Sequence, residues 1–261
     1  MKAIILAAGE GTRLHKYTKG MPKCMLSIGG VSIIERQIDI LRDFGIDDII
    51  IVRNKHFNEL NIKGVRYYMN NMPNTNMVYS LFCAEKELDT DLIITYGDIL
   101  YDKSVIKKIM DSNSYDISVV VDMTWIKYYT ARFTDPYEDA ESLVLENDGR
   151  ILNIGEFHPS PEQIQAQYIG VIKLSKSGSE YFNRFYNTAK EIFWNKPWIR
   201  NKLFQQIYMT DYLQAIIDNG IPIYSIPIEG GWLEFDTEKD YENVIKWHAD
   251  GTLRNYCSIE Y

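Results

Sequence analysis

The sequence is poor in cysteine. Its three, Cys24, Cys83 and Cys257, are odd in number and scattered, a pattern that fits reduced thiols better than a disulfide framework. Long apolar runs are missing too, and none approaches the ~20 residues that a bilayer span requires. Met1-Lys2-Ala3 leads straight into a strand-like stretch, without the basic and then long apolar organisation of a signal peptide. A soluble cytoplasmic protein with no membrane partner is therefore expected. Cations are in the minority, 28 Lys and Arg against 36 Asp and Glu, for a net charge of −8. This balance argues against a general nucleic-acid binder, which presents a basic face. There is no internal repeat, no low-complexity tract and, at the C-terminus, no hexapeptide period of a parallel β-helix. What the 261 residues do have is apolar content, 46% hydrophobic and 13% aromatic, enough for one sizeable core. An acidic chain that handles anions must gather its few site cations locally.

Short apolar runs alternate with helical patterns in the first half. Lys2–Ala8, Asp47–Arg53, Leu92–Tyr96 and Asp116–Asp122 read as strands. Between them, Val31, Ile34, Ile38 and Leu41 recur at helical spacing before Gly45, a helical stretch ends near Leu88, and Ser104 can cap a helix carrying Val105 and Ile109. This rhythm predicts an α/β fold, a Rossmann-like, mostly parallel sheet with helices on both faces. From about Trp125 the pattern loosens. Glu141–Leu145 and Arg150–Gly155 read as antiparallel strands about Asn147-Asp148-Gly149, and Tyr168–Leu174 and Ile223–Ile228 as further strands. Helices are expected over Gly178–Phe193 and Asp211–Asn219, and after the capping-box-like Thr237-x-x-Asp240. No Pro/Gly/Ser linker divides the chain, so residues 1–261 are expected to form a single domain with a smaller mixed lobe laid beside the sheet.

Leu6-Ala7-Ala8-Gly9-Glu10-Gly11-Thr12-Arg13-Leu14 follows the first strand directly. Small residues and two glycines let a backbone approach a ligand closely, and consecutive N–H groups in such a loop cradle an anion. In an open α/β sheet this strand end is where ligands bind. The dinucleotide fingerprint fails, because its third glycine would fall at Leu14, and the P-loop fails for want of Gly-Lys-Ser/Thr. A phosphate loop with a guanidinium, Arg13, remains. Pro22-Lys23-Cys24-Met25 adds an ammonium. Taken alone, these letters also describe a tight strand-to-helix turn with two solvated cations.

The whole string resembles the signature of the sugar-phosphate nucleotidyltransferase superfamily: a Leu-Ala-Ala-Gly-x-Gly-x-Arg-Leu loop, then Pro-Lys, then Gly-Asp after a later strand, here Tyr96-Gly97-Asp98. The match is specific over roughly the first 125 residues, and the second half keeps the family's order of elements. The resemblance implies that Leu6, Ala7, Ala8, Gly9, Glu10, Gly11 and Gly97 bind a nucleoside triphosphate and that Arg13 and Lys23 contact its phosphates. It divides the domain into a nucleotide-binding core, residues 1–124, and an acceptor-binding part with C-terminal helices, residues 125–261.

Nucleotidyl transfer brings one phosphate against another, and a divalent cation removes much of their repulsion. Magnesium takes oxygen ligands and keeps several waters, so one or two aspartates suffice beside the phosphates. The resemblance makes Asp98 and Asp236 this metal pair and Mg2+ the cofactor. Asp236, next to a capped helix, reads equally well as an N-cap.

The chain is too short for the acetyltransferase-type β-helix of longer members, and it has no obvious Gly-Thr-Ala motif of hexose-1-phosphate enzymes. Asn74-Thr75-Asn76-Met77-Val78-Tyr79-Ser80-Leu81 stands there instead, and Glu234-Phe235-Asp236-Thr237 follows later. These pieces look like the phosphocholine cytidylyltransferase branch, and imply CTP with Asn76 and Ser80 near its base or ribose. The same letters fit a helix start capped by Asn74 or Thr75. On the acceptor side, Asp211, Tyr212, Trp232 and Glu234 could form an aromatic and acidic pocket for a cationic group, or the aromatics could be packing residues. Arg132, Glu156 and Tyr168 lie where family members touch the acceptor, and Arg132 or Arg200 could serve a carboxylate. His15, His56, His158 and His248 show no metal-ligand spacing, and Phe193–Trp198 reads as lobe core or a homodimer contact.

The expected activity is transfer of CMP from CTP to a small phosphate or phosphonate, such as phosphocholine, aminoethylphosphonate or a phosphorylated amino acid such as phosphoglutamine, with release of pyrophosphate. The alternatives are a hexose-1-phosphate uridylyl- or thymidylyltransferase and a nucleotide-sensing homologue without turnover. A Rossmann oxidoreductase is disfavoured by the missing third glycine.

Overall fold

A computed structural model gives the fold; residues 1–9, 11–14, 16–57, 60–112 and 115–259 are described. Glu10 of the glycine loop and His15 lie outside the described residues. Seven strands make one sheet, in the edge-to-edge order Tyr224–Ile228, Ile117–Asp122, Gln167–Leu174, Leu92–Tyr96, Lys2–Ala7, Asp48–Asn54, Arg66–Asn70. Lys2–Ala7 shows why the strand forms. Its period of two sends Ala3, Ile5 and Ala7 into the core on one face and Ile4 and Leu6 into the core on the other. Such a strand, with helices covering both faces, reads as an unbroken apolar run. Ile4 lies in parallel register between Ile50 and Ile94.

The helix Ile33–Asp43 begins with a full Ser32/Glu35 capping box, buries Ile34, Ile38 and Leu41, and is followed by Gly45 at φ 75°. Helix Lys103–Asp111 begins two residues earlier than a Ser104 cap would place it. Asp102 is its cap, accepting from the Ser104 N–H at 2.9 Å. A helix, Trp125–Arg132, occupies the stretch where the sequence pattern loosens, and it buries Trp125, Tyr128, Tyr129 and Arg132.

The second half does more than lie beside the sheet. Gln167–Leu174 enters its middle, antiparallel to both Leu92–Tyr96 and Ile117–Asp122. The register slips between Tyr168 and Ile172, where Gly170 has φ 86° and leaves room for the Tyr96 ring; a Cβ there would stand 2.6 Å from it. Glu141–Leu145 and Ile151–Phe157 form the expected antiparallel pair about Asn147-Asp148-Gly149. No helix of the described residues is long and apolar enough to cross a membrane.

Candidate active site

The first strand delivers the glycine loop to the C-terminal edge of the sheet. Gly11 takes φ 64°, and a Cβ on it would meet the Lys23 side chain at 2.9 Å, so a glycine here lets the lysine lie against the loop. The Thr18 hydroxyl closes the turn by donating to the Gly11 and Leu14 carbonyls at 3.0 and 2.9 Å. Leu14 is buried as the anchor of the segment, while Arg13 reaches into solvent. Pro22 is extended and starts the short turn Lys23–Met25. That geometry sends the Lys23 chain under Gly11.

Lys23 Nζ ends between two carboxylates, 3.1 Å from Asp98 and 2.7 Å from Asp236, and Arg13 lies 3.1 Å from the same Asp236 oxygen. Asp98 follows Leu92–Tyr96 because Gly97 donates back to the Leu6 carbonyl at 2.9 Å, with no space for a side chain against Ala7. Asp236 is placed by its neighbours. Asp240 Oδ2 accepts from the Asp236 and Thr237 N–H groups at 3.1 and 2.8 Å, and the buried Arg132 holds Asp240 at 3.0 Å. Thr237, not Asp236, is the N-cap of Glu238–Asp250. Burial opposes the Lys23 charge, but Asp98 and Asp236 outweigh it and hold Lys23 above the ordinary lysine value. Asp236 is likewise pushed up by burial and pulled well below the usual range by Lys23, Glu234 and Arg13. Burial dominates at Asp98 and at Glu234, and both are raised.

These groups open into a cavity of about 420 Å³ that is also lined by Gly9, Asn76, Tyr96, Tyr129, Asp139, Glu141, Gln167, Tyr168, Tyr208 and Thr210. A smaller hollow of about 260 Å³ adjoins it at Leu6, Ala8, Gly9, Asn54, Asn70, Asn76 and Ser80. Asn76 lines both, and it caps Met77–Phe82 by accepting from the Met77 N–H at 2.7 Å; the cap is neither Asn74 nor Thr75. Ser80 receives the Asn70 amide at 3.0 Å. Asp139, Glu234 and Asp236 bring carboxylate oxygens within 4.8 Å of one another. Asp98 joins them through Lys23.

Residues 3–143 match the MobA-like NTP transferase domain. The chain is also 36% identical over 259 residues to the CTP:phosphoglutamine cytidylyltransferase of Campylobacter jejuni, covering 94% of this chain and all of that protein. It belongs to the MobA-like NTP transferase family. The choline-phosphate cytidylyltransferase of Streptococcus pneumoniae is 34% identical over 168 residues, 62% of this chain and 71% of that one. The inositol-1-phosphate CTP transferase of T. maritima shares the fold, with a TM-score of 0.70, 20% identity and coverage of 99% and 98%.

In this transferase the expected acceptor-side residues divide. Tyr168 and Glu234 line the cavity. Trp232 does not: it is buried, and its indole N–H donates to Asp122 at 2.9 Å. Tyr212 is core as well, its hydroxyl on the Phe182 carbonyl at 2.5 Å. Asp211 is buried behind the wall between Arg200 and Lys202, each at 2.8 Å. Arg132 is committed to Asp240 and Glu234, and the Glu156 carboxylate accepts from the Asn153 amide at 2.9 Å while its backbone N–H donates to the Ser142 hydroxyl oxygen. The aromatic and acidic pocket expected from Asp211, Tyr212, Trp232 and Glu234 therefore does not form as one surface. The wall is made instead by residues that no motif marks: Tyr129, Asp139, Glu141, Gln167, Tyr208 and Thr210. Burial pushes the Glu141 carboxyl up to about 6 against the pull of the Thr210 hydroxyl and Arg200.

Proposed function

We propose that the chain is a cytidylyltransferase that moves CMP from CTP to a small phosphorylated acceptor and releases pyrophosphate. The observation that carries the reading is the meeting of the glycine loop, Arg13 and Lys23 with Asp98 and Asp236 in one cavity. An oxygen of the acceptor phosphate attacks the α-phosphorus, and the bond to the bridging oxygen of pyrophosphate breaks. The acceptor is already an ionised nucleophile, so no covalent enzyme intermediate is required, and positioning with charge neutralisation carries the catalysis. Lys23 and Arg13 exchange their carboxylate partners for triphosphate oxygens and meet the charge that grows on the departing pyrophosphate. The hollow beside Asn76 and Ser80 suits the base and ribose.

The donor set is made of hard oxygens, which fits magnesium, and Asp98 and Asp236 would hold it. When bound, the ion supplies charge neutralisation between nucleophile and α-phosphate. The relatives' names support CTP as donor and a phosphorylated amino-acid amide or choline phosphate as acceptor. A CMP-linked product is an activated donor of the kind consumed in assembling surface polysaccharides or lipid precursors. Three free cysteines support a reducing, cytoplasmic setting. The test is pyrophosphate release from four nucleoside triphosphates against a panel of phosphorylated acceptors. CTP with phosphoglutamine or another small phosphate should give turnover; turnover only with glucose 1-phosphate and UTP or dTTP would overturn the cytidylyl assignment.

A further inference from the structure

The helix Ile33–Asp43 carries one residue that its own packing does not call for. Gln37 lies one turn from Ile33 and one turn from Leu41, on the apolar stripe, and like them it is fully buried. An amide in that position costs free energy unless its polar atoms are paired. Only the nitrogen is. Nε2 donates to the Tyr96 carbonyl at 2.9 Å and to the Ile99 carbonyl at 2.5 Å, while Oε1 has no hydrogen-bond partner among the described residues. These two carbonyls flank Gly97-Asp98. Between them, the Asp98 carbonyl accepts from the Phe235 N–H at 3.0 Å, next to Asp236. The turn that bears Asp98 is thus held by Gln37 through one pair of carbonyls, and by the Asp236 segment through the carbonyl between them.

We propose that Gln37 is a positioning residue for the metal pair: its two N–H groups hold the turn at the spacing that lets Asp98 and Asp236 share one divalent cation. The inference rests on the cytidylyltransferase reading, with magnesium at those two aspartates. A primary amide nitrogen has two donors, one for each carbonyl, so Gln37 acts through the backbone on either side of Asp98. An apolar side chain of the same length would fill the same space and release the turn. Groups that orient the ligands of a metal are worth on the order of ten- to a hundredfold in affinity or activity. A displacement of ~1 Å at a reacting centre can cost about a hundredfold.

The experiment compares the wild type with three variants. Gln37→Met keeps the volume but has no donor, and Gln37→Asn keeps the amide on a stem one methylene shorter. Ile38→Ala loosens the buried face of the same helix without removing a bond to the turn. Manganese(II) is titrated into each enzyme with CTP and no acceptor, followed by water-proton relaxation, and kcat and KM are measured with magnesium and acceptor. Gln37→Met should weaken manganese binding by on the order of tenfold and lower kcat by on the order of ten- to a hundredfold, with the acceptor KM within about twofold. Gln37→Asn should fall between it and the wild type. Ile38→Ala should lower the thermal midpoint at least as far as Gln37→Met, yet keep manganese affinity and kcat within about twofold of wild type. Wild-type manganese affinity in Gln37→Met, or an equal loss in Ile38→Ala, would overturn the proposal and leave the cytidylyltransferase standing. If Gln37→Met does not fold, Gln37→Asn against Ile38→Ala decides the same question. A wild type that turns over CTP in EDTA, or that shows no turnover with any acceptor, would remove the parent reading and this one with it.

Discussion

Lys23 is 8% exposed and its ammonium lies between Asp98 and Asp236; the proposed reaction also assigns it to the departing pyrophosphate. Lys23→Ala should cut turnover by on the order of a hundredfold or more, because charge on the departing pyrophosphate loses its nearest donor. CTP affinity should fall less, as measured by titration of the nucleotide. The two carboxylates predict a metal dependence: EDTA should abolish activity, magnesium should restore it, and Asp98→Asn or Asp236→Asn should raise the magnesium concentration needed for half-maximal rate. Glu141 makes a different prediction. Its folded value of about 6 lies above the ordinary carboxyl value of 4.5, so the folded state binds more protons than the unfolded chain between these limits. Stability should therefore decline as pH rises from 4.5 through 6 and level off above. Thermal melts across this range should show that decline in the wild type, and Glu141→Gln should lose it and melt higher at pH 7.

Elements position these residues, and here the sequence was informative in some places and mute in others. The glycine loop, Lys23 and Asp98 were legible because each sits at a fixed offset from a strand whose apolar run is unmistakable. Asp139 and Glu141 were not. They reach the cavity only because the hairpin beginning at Glu141 packs beside Gln167, and no local pattern encodes that approach. Trp125–Arg132 carried a helical signal, Trp125, Tyr128, Tyr129 and Arg132 at i, i+3, i+4 and i+7, that its aromatic content masked. Arg66–Asn70, a partly exposed edge strand, had no apolar run to announce it. The helix Glu238–Asp250 links element to site, because Asp240 both closes its capping box and receives Arg132. Arg132→Met should destabilise the protein by about 3–5 kcal/mol by leaving a buried carboxylate unpaired. A denaturant midpoint close to wild type would show that the pair contributes little.

At the scale of the molecule, the two halves named from sequence share one sheet. Gln167–Leu174 stands between Leu92–Tyr96 and Ile117–Asp122, and Tyr224–Ile228 closes the edge. A fragment of residues 1–124 should lack cooperative unfolding and near-ultraviolet circular dichroism; a sharp melt from that fragment would show that the core folds alone. Strand periodicity predicted that Tyr168–Leu174 would be a strand but not its neighbours, since an apolar run buried on both faces reads alike in either direction and at any place in a sheet.

The central antiparallel strand also sets a timetable for a chain emerging from the ribosome. Leu92–Tyr96 and Ile117–Asp122 are complete before the strand that separates them exists, and about fifty further residues must be added before Leu174 appears. At typical synthesis rates this is roughly three to ten seconds during which two apolar strand edges face an unfilled slot. During that interval the nascent protein is most open to pairing the wrong strands or to capture by a chaperone, and slowing translation after Asp122 should lower the yield of active enzyme more than slowing it after Leu174.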